Sequence, residues 1–143
     1  VSRRRQIDID QNAIEFARDV LTGTAESGST GSLLVLAVDD DALIRMNTMA
    51  MLEELGHRVL EAANGAEALD IVRQNPAIDV VLTDFAMPKM TGRDLAIAVA
   101  RERPGLPVIL ATGYAELPPG EKIDVRLLPK PFGLKELARV LKR

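Results

Sequence analysis

From Leu33 onward, short apolar runs alternate with stretches of helical periodicity. Leu33–Val38 has no polar position, the pattern of a strand buried on both faces. Ala42–Leu55 follows as a helix, with Leu43, Met46, Met49 or Ala50, and Leu52 or Glu53 at helical spacing, and Gly56 ends it as a C-terminal cap. Arg58–Glu61 is half polar and reads as an edge strand. Asn64 caps a helix over Gly65–Gln74, which Asn75-Pro76 breaks. Ile78–Thr83, apolar apart from Asp79 and the closing Thr83, is a second strand of this kind. A helix beginning at Gly92 or Arg93 and ending at Arg103 is closed by Pro104-Gly105. Pro107–Ala111 is another buried strand, Val125–Leu128 is a further candidate for the inner sheet, and Phe132-Gly133-Leu134 opens a last helix that runs to Leu141. Strands that alternate with helices in this way predict an α/β fold, with a parallel sheet covered by helices on both faces.

Residues 1–32 differ from the rest. Asp10–Leu21 fits one short helix, with Ile14, Ala17 and Leu21 on a common face, and 22–32 has the Gly/Ser/Thr composition of a flexible linker. The expected organisation is therefore an appendage over 1–32 and one domain over 33–143. The chain has no cysteine, which excludes disulfides, thiolate metal sites and cysteine nucleophiles. A net charge of -3 and 3% aromatic residues argue against a nucleic-acid surface. No apolar run is long enough to span a membrane, and Ile7-Asp8-Ile9-Asp10 stands where a signal peptide would need apolar residues, so a cytoplasmic protein is expected.

In open parallel sheets, ligands sit at the carboxyl ends of the strands. Those ends carry Asp39-Asp40-Asp41, Thr83-Asp84, Thr112 and Lys130. Clustered carboxylates repel and call for a cation. With no His or Cys there, the donors are all oxygen, which selects a hard ion such as Mg²⁺. A carboxylate beside such an ion, a hydroxyl and an amine forms a phosphoryl-transfer site, the carboxylate attacking phosphorus to become an acyl phosphate. Taken singly the residues are ordinary. Asp41 reads best as a helix cap, and His57, the one histidine, lies in a turn at the opposite end of the sheet and is given no catalytic role.

The runs Val38-Asp39-Asp40-Asp41, Thr83-Asp84-Phe85-Ala86-Met87-Pro88-Lys89-Met90-Thr91-Gly92, Ala111-Thr112-Gly113 and Leu128-Pro129-Lys130-Pro131-Phe132 resemble the signatures of response regulator receiver domains, the CheY-like superfamily. The resemblance covers residues 33–143. It implies a doubly wound, flavodoxin-like sheet of five parallel strands in the order 2-1-3-4-5. It also implies Asp84 as phosphoacceptor, direct Mg²⁺ ligation by Asp40, Asp84 and the Ala86 carbonyl, and Asp39 acting through a metal-bound water. Lys130 would bind the phosphoryl group or the Asp84 carboxylate, Thr112 would move in to hydrogen-bond the phosphoryl group, and Lys130-Pro131 would be cis. The implied partner is a histidine kinase or a histidine phosphotransfer protein.

Two features depart from the family pattern. Leu127 stands where many receivers have Tyr or Phe, so the switch cannot work by ring rotation. Lys130 follows Thr112 by only 18 positions, and Pro118-Pro119-Gly120 lies between them, so the helix joining the fourth and fifth strands is expected to be short or absent. The loop 113–122 is then the expected moving part, with Tyr114 near the site mouth. The Ala-Thr-Gly-Tyr run resembles receivers of hybrid histidine kinases and stand-alone single-domain regulators. No DNA-reading segment follows Arg143, so direct transcriptional action is not expected. Two other functions compete. An aspartyl-phosphate hydrolase of the haloacid-dehalogenase type would need a second Asp at position 86, which is Ala. A phosphorylation-independent module would not need the full set Asp39, Asp40, Asp84, Thr112 and Lys130.

Overall fold

In the computed structural model, which describes residues 31–113 and 125–142, the first apolar run forms β1 (Leu34–Val38), buried along its whole length. There follow α1 (Ala42–Glu54), β2 (Arg58–Ala62), α2 (Gly65–Gln74), β3 (Val80–Asp84), α3 (Gly92–Glu102), β4 (Val108–Thr112), β5 (Arg126–Pro129) and α4 (Leu134–Leu141). The compact unit formed by these elements spans Ser32–Leu141. The helix expected over 10–21, residues 22–30 of the expected linker, and the segment 114–124, with Tyr114 and the proline pair, lie outside the described residues.

The sheet order is β2-β1-β3-β4-β5, and every pairing is parallel. Two-residue alternation splits the apolar runs between two cores. Leu34, Leu36 and Val38 of β1 pack on the face that holds Leu69 and Val72 of α2 and Leu95 and Val99 of α3. Val35 and Ala37 face Leu52 of α1 and Leu137 and Leu141 of α4. Helices on both faces explain why β1, and β3 and β4 up to their carboxyl ends, read as apolar runs.

Two expectations need correction. The strand anticipated at Val125–Leu128 for the inner sheet lies at the edge, paired with β4. Leu128 is buried there and Leu127 is 45% exposed. The apolar face of α1 is also rotated from the expected one. Leu43 and Met46 are 78% and 62% exposed, while Thr48 and Leu52 are the buried positions. Apolar residues surround this helix, so spacing alone does not choose the buried side.

The entry to β1 is pinned by two side chains. His57 Nδ1 accepts the Leu33 N–H at 3.0 Å and Asp79 Oδ2 accepts the Leu34 N–H at 2.8 Å. The His57 contact requires a neutral ring nitrogen, and burial pushes this imidazole below its ordinary 6.5. A depressed folded-state value means that the unfolded chain binds the proton first. The contribution is complete above pH 6.5 and is lost as pH falls from there through the folded-state value. The melting temperature should therefore drop across mildly acidic pH, and His57→Gln should flatten that part of the profile. Equal slopes in the two proteins would contradict this role.

Candidate functional site at the carboxyl edge of the sheet

Register places the chemistry. Val38 of β1 pairs with Thr83 of β3, so Asp39 and Asp84 leave adjacent strands side by side. Asp84 pairs with Ala111, and Thr112 pairs with Pro129, which puts Thr112 and Lys130 at the next two strand ends. The Lys130 N–H donates to the Thr112 carbonyl at 2.9 Å and ties those ends together.

Asp39, Asp40 and Asp84 converge, one carboxylate oxygen from each lying within 4.8 Å of the others. Asp39 and Asp84 are buried and Asp40 is exposed. The Lys130 ammonium donates to Asp84 Oδ1. Thr112 is buried, and its hydroxyl donates to the Gly113 carbonyl at 2.9 Å. Ala86 sits exposed in the β3–α3 loop, two residues past Asp84. Lys130-Pro131 is cis. Asp41 takes the capping part, its carboxylate accepting the N–H groups of Leu43 at 3.0 Å and Ile44 at 3.2 Å.

The Asp39 carboxyl is raised above its ordinary 3.8. Burial is the main cause, and the charges of Asp84 and Asp40 act in the same sense. A hydrogen bond from the Asp41 N–H and the Lys130 charge oppose it. Three clustered oxygen donors, with one carboxyl resisting ionisation, form a set that a hard divalent cation relieves.

The loop that carries Ala86 is shaped by close packing. The Gly92 N–H donates to the Phe85 carbonyl at 2.9 Å, and a Cβ on Gly92 would lie 2.4 Å from the Asp84 carbonyl oxygen. Lys89 turns the loop with φ 70°, the left-handed region.

The sequence reading missed three residues of the site wall. Arg45, Thr48 and Phe132 line a small cavity of about 20 Å³ together with Asp39, Asp84 and Lys130. Arg45 and Thr48 fall one helical turn apart on α1 after the aspartates, a spacing that points them to one side.

The family profile of the response regulator receiver domain matches residues 35–142. The chain belongs to the response regulator receiver family. It is a receiver domain of two-component signal transduction, a signalling module that accepts a phosphoryl group, with the flavodoxin-like fold of that family. Over 120 residues it is 38% identical to the sensor kinase CckA of Brucella abortus, an alignment that covers 79% of this chain and 12% of that protein. It is 32% identical over 113 residues to the response regulator receiver protein CpdR of the same organism, covering 76% of this chain and 93% of CpdR. The crystal structure of a receiver domain protein from Clostridium thermocellum superimposes with a TM-score of 0.72 at 32% identity, covering 76% of this chain and 90% of that one.

Proposed function

We propose that Asp84 is the phosphoacceptor of this receiver and that residues 33–143 constitute it, with 1–32 as an appendage. The carrying observation is the convergence of Asp39, Asp40 and Asp84 with Lys130 seated on the Asp84 carboxylate. Asp84 is the member of the cluster that both ends an inner strand and contacts the ammonium. Its carboxylate oxygen attacks phosphorus, the bond from phosphorus to the donor nitrogen breaks, and the product is an acyl phosphate. Lys130 then faces the phosphoryl oxygens and offsets their charge. The Thr112 hydroxyl exchanges its bond to Gly113 for one to the new anion, a charge-assisted contact.

The donor set fits Mg²⁺, which Asp40, Asp84 and the Ala86 carbonyl would hold, with Asp39 acting through a water. Bound there, the ion supplies positive charge that lets the carboxylates and the incoming phosphoryl group approach. The test is labelling. The chain incubated with Mg²⁺ and a small phosphodonor should gain one labile phosphoryl group, and Asp84→Asn should gain none. Equal labelling of the two would reject Asp84.

The partner is a histidine kinase or a histidine phosphotransfer protein, and the same reading places the domain in the cytoplasm, where nucleotide-fed donors are made. Beside the site, Leu43, Ile44 and Met46 of α1 are exposed. Next to them lies a recess of about 400 Å³ lined by Ile44, Asn47, Thr48, Met51, Lys130, Pro131 and Phe132. An apolar surface at the mouth of a charged site suits a protein donor that must bring its phosphohistidine to Asp84. Ile44→Ser should slow transfer from a phosphorylated histidine phosphotransfer protein by about tenfold or more, the size of an interface anchor's loss. Labelling by the small phosphodonor should stay near wild type. Parallel losses with both donors would move Ile44 from docking to site support.

A further inference from the structure

We infer that Arg45 is the positioning residue that sets the β1–α1 loop for metal binding, by clamping the peptide between Asp39 and Asp40 to strand β2. The inference rests on the reading of Asp39, Asp40 and Asp84 as a Mg²⁺ site and adds a residue that acts through the ligands.

Strand pairing between β1 and β2 ends at Val38 and Ala62. One residue on, the Asp39 N–H still donates to the Ala62 carbonyl at 3.2 Å. The Asp39 carbonyl instead receives the Arg45 guanidinium, Nη1 donating to it at 2.7 Å. The same guanidinium uses Nε on Glu61 Oε1 at 2.8 Å. Glu61 belongs to β2 and immediately precedes Ala62. Both polar groups of the Asp39 backbone are thus referred to β2, one directly and one through Arg45.

The plane held by Arg45 is the peptide that joins Asp39 to Asp40. Its orientation fixes the torsions on either side, and so the directions in which both carboxylates leave the chain. Asp39 has a second restraint, its Oδ1 accepting the Asp41 N–H at 2.9 Å. Asp40 is exposed, and its direction depends most on the held plane.

A surface staple does not account for this arrangement. The Arg45 side chain is only 15% exposed while Glu61 is 52% exposed, so the ion pair contributes little stability by itself. A guanidinium beside three carboxylates would compete with a metal if it bonded them. Here Nε and Nη1 are directed to Glu61 and to a carbonyl oxygen. The fork geometry reaches both acceptors at once, which a lysine ammonium cannot reproduce.

The test is a Mg²⁺ titration of the whole chain, followed by NMR on isotope-labelled protein, with melting temperatures measured without metal. The proteins are wild type, Asp40→Ala, Arg45→Ala, Arg45→Lys, Glu61→Gln and the Arg45→Ala/Glu61→Gln pair. Arg45→Ala should bind Mg²⁺ about 10–100-fold more weakly, the range for residues that orient metal ligands. Arg45→Lys should not rescue it. Glu61→Gln should lose less, and the double variant should be no worse than Arg45→Ala alone. Small-donor phosphorylation of Arg45→Ala should recover at saturating Mg²⁺. If Arg45→Ala bound Mg²⁺ like wild type while Asp40→Ala did not bind, the positioning role would fall and the metal site would stand. Were Asp40→Ala and wild type to bind alike, the site reading would fall and take this inference with it. If Arg45→Ala did not fold, unchanged affinity in both Glu61→Gln and Arg45→Lys would overturn the proposal.

Discussion

Asp40→Ala is expected to lower Mg²⁺-dependent phosphorylation by more than about 100-fold, beyond the loss typical of residues that only orient ligands, while the melting temperature without metal holds or rises. Asp40 is exposed and belongs to neither core, so its removal leaves no cavity. It does remove one of three carboxylates packed within 4.8 Å of each other, a repulsion on the order of 1 kcal/mol per pair in a water-like medium. The direction agrees with Asp39, whose carboxyl is raised above 3.8 first by burial. A raised folded-state value means that this group favours the fold below pH 3.8, and that the advantage is lost as pH rises through the folded-state value. At neutral pH the ionised group opposes folding, and Asp39→Asn should also stabilise the metal-free protein, since Asn Oδ1 can still accept the Asp41 N–H. Thermal melts and labelling with a small phosphodonor read both effects. Wild-type labelling of Asp40→Ala would remove it from the metal site.

Gly92→Ala should destabilise the domain by at least about 3 kcal/mol, the upper end for overpacking, because the neighbours cannot yield. An added Cβ would stand 2.4 Å from the Asp84 carbonyl oxygen, 2.8 Å from Leu110 Cδ2 and 2.9 Å from the Phe85 Cα. Two of these are backbone, at the end of the strand that carries Asp84. Relief requires α3 to withdraw or Asp84 to move, so any folded fraction should label poorly. Gly65→Ala is the contrast. Its Cβ would lie 2.3 Å from Met90 Sδ, but a methionine side chain can turn aside. Its cost should be nearer 1 kcal/mol, within the ordinary range for single substitutions. Urea denaturation of both variants measures the difference, and equal costs would show that the Asp84 backbone is more yielding than its packing indicates.

Much of the site was legible because burial and chemistry coincide at strand ends. β1 is apolar throughout and β3 is apolar as far as Leu82, and the first polar residues along them are Asp39, just past β1, and Thr83-Asp84, the last two residues of β3. The strand order came with the family resemblance and not with the pattern. What escaped the sequence depends on contacts between distant elements. Arg45 meets Glu61 and the Asp39 carbonyl across the β1–α1 and β2 boundary, and neither residue type announces a partner. His57 and Asp79 hold the start of β1 through backbone N–H groups, which carry no sequence signal. The face of α1 was misjudged because Leu43, Ile44 and Met46 are apolar and yet exposed, a combination that core packing does not require and a docking surface does. Position 127 was legible as a departure, since a leucine 45% exposed on the edge strand offers no ring to rotate.

Asp84, and not one of its neighbouring carboxylates, is expected to carry the phosphoryl group. Borohydride reduces an acyl phosphate to an alcohol, so an aspartyl phosphate becomes homoserine while a free carboxylate is untouched. The chain is phosphorylated with a small donor and Mg²⁺, reduced, digested and sequenced by mass spectrometry. Homoserine is expected at position 84, and none is expected there when Mg²⁺ is chelated. Homoserine at position 39 or 40, or none at any position in a chain that is folded and saturated with Mg²⁺, would contradict it.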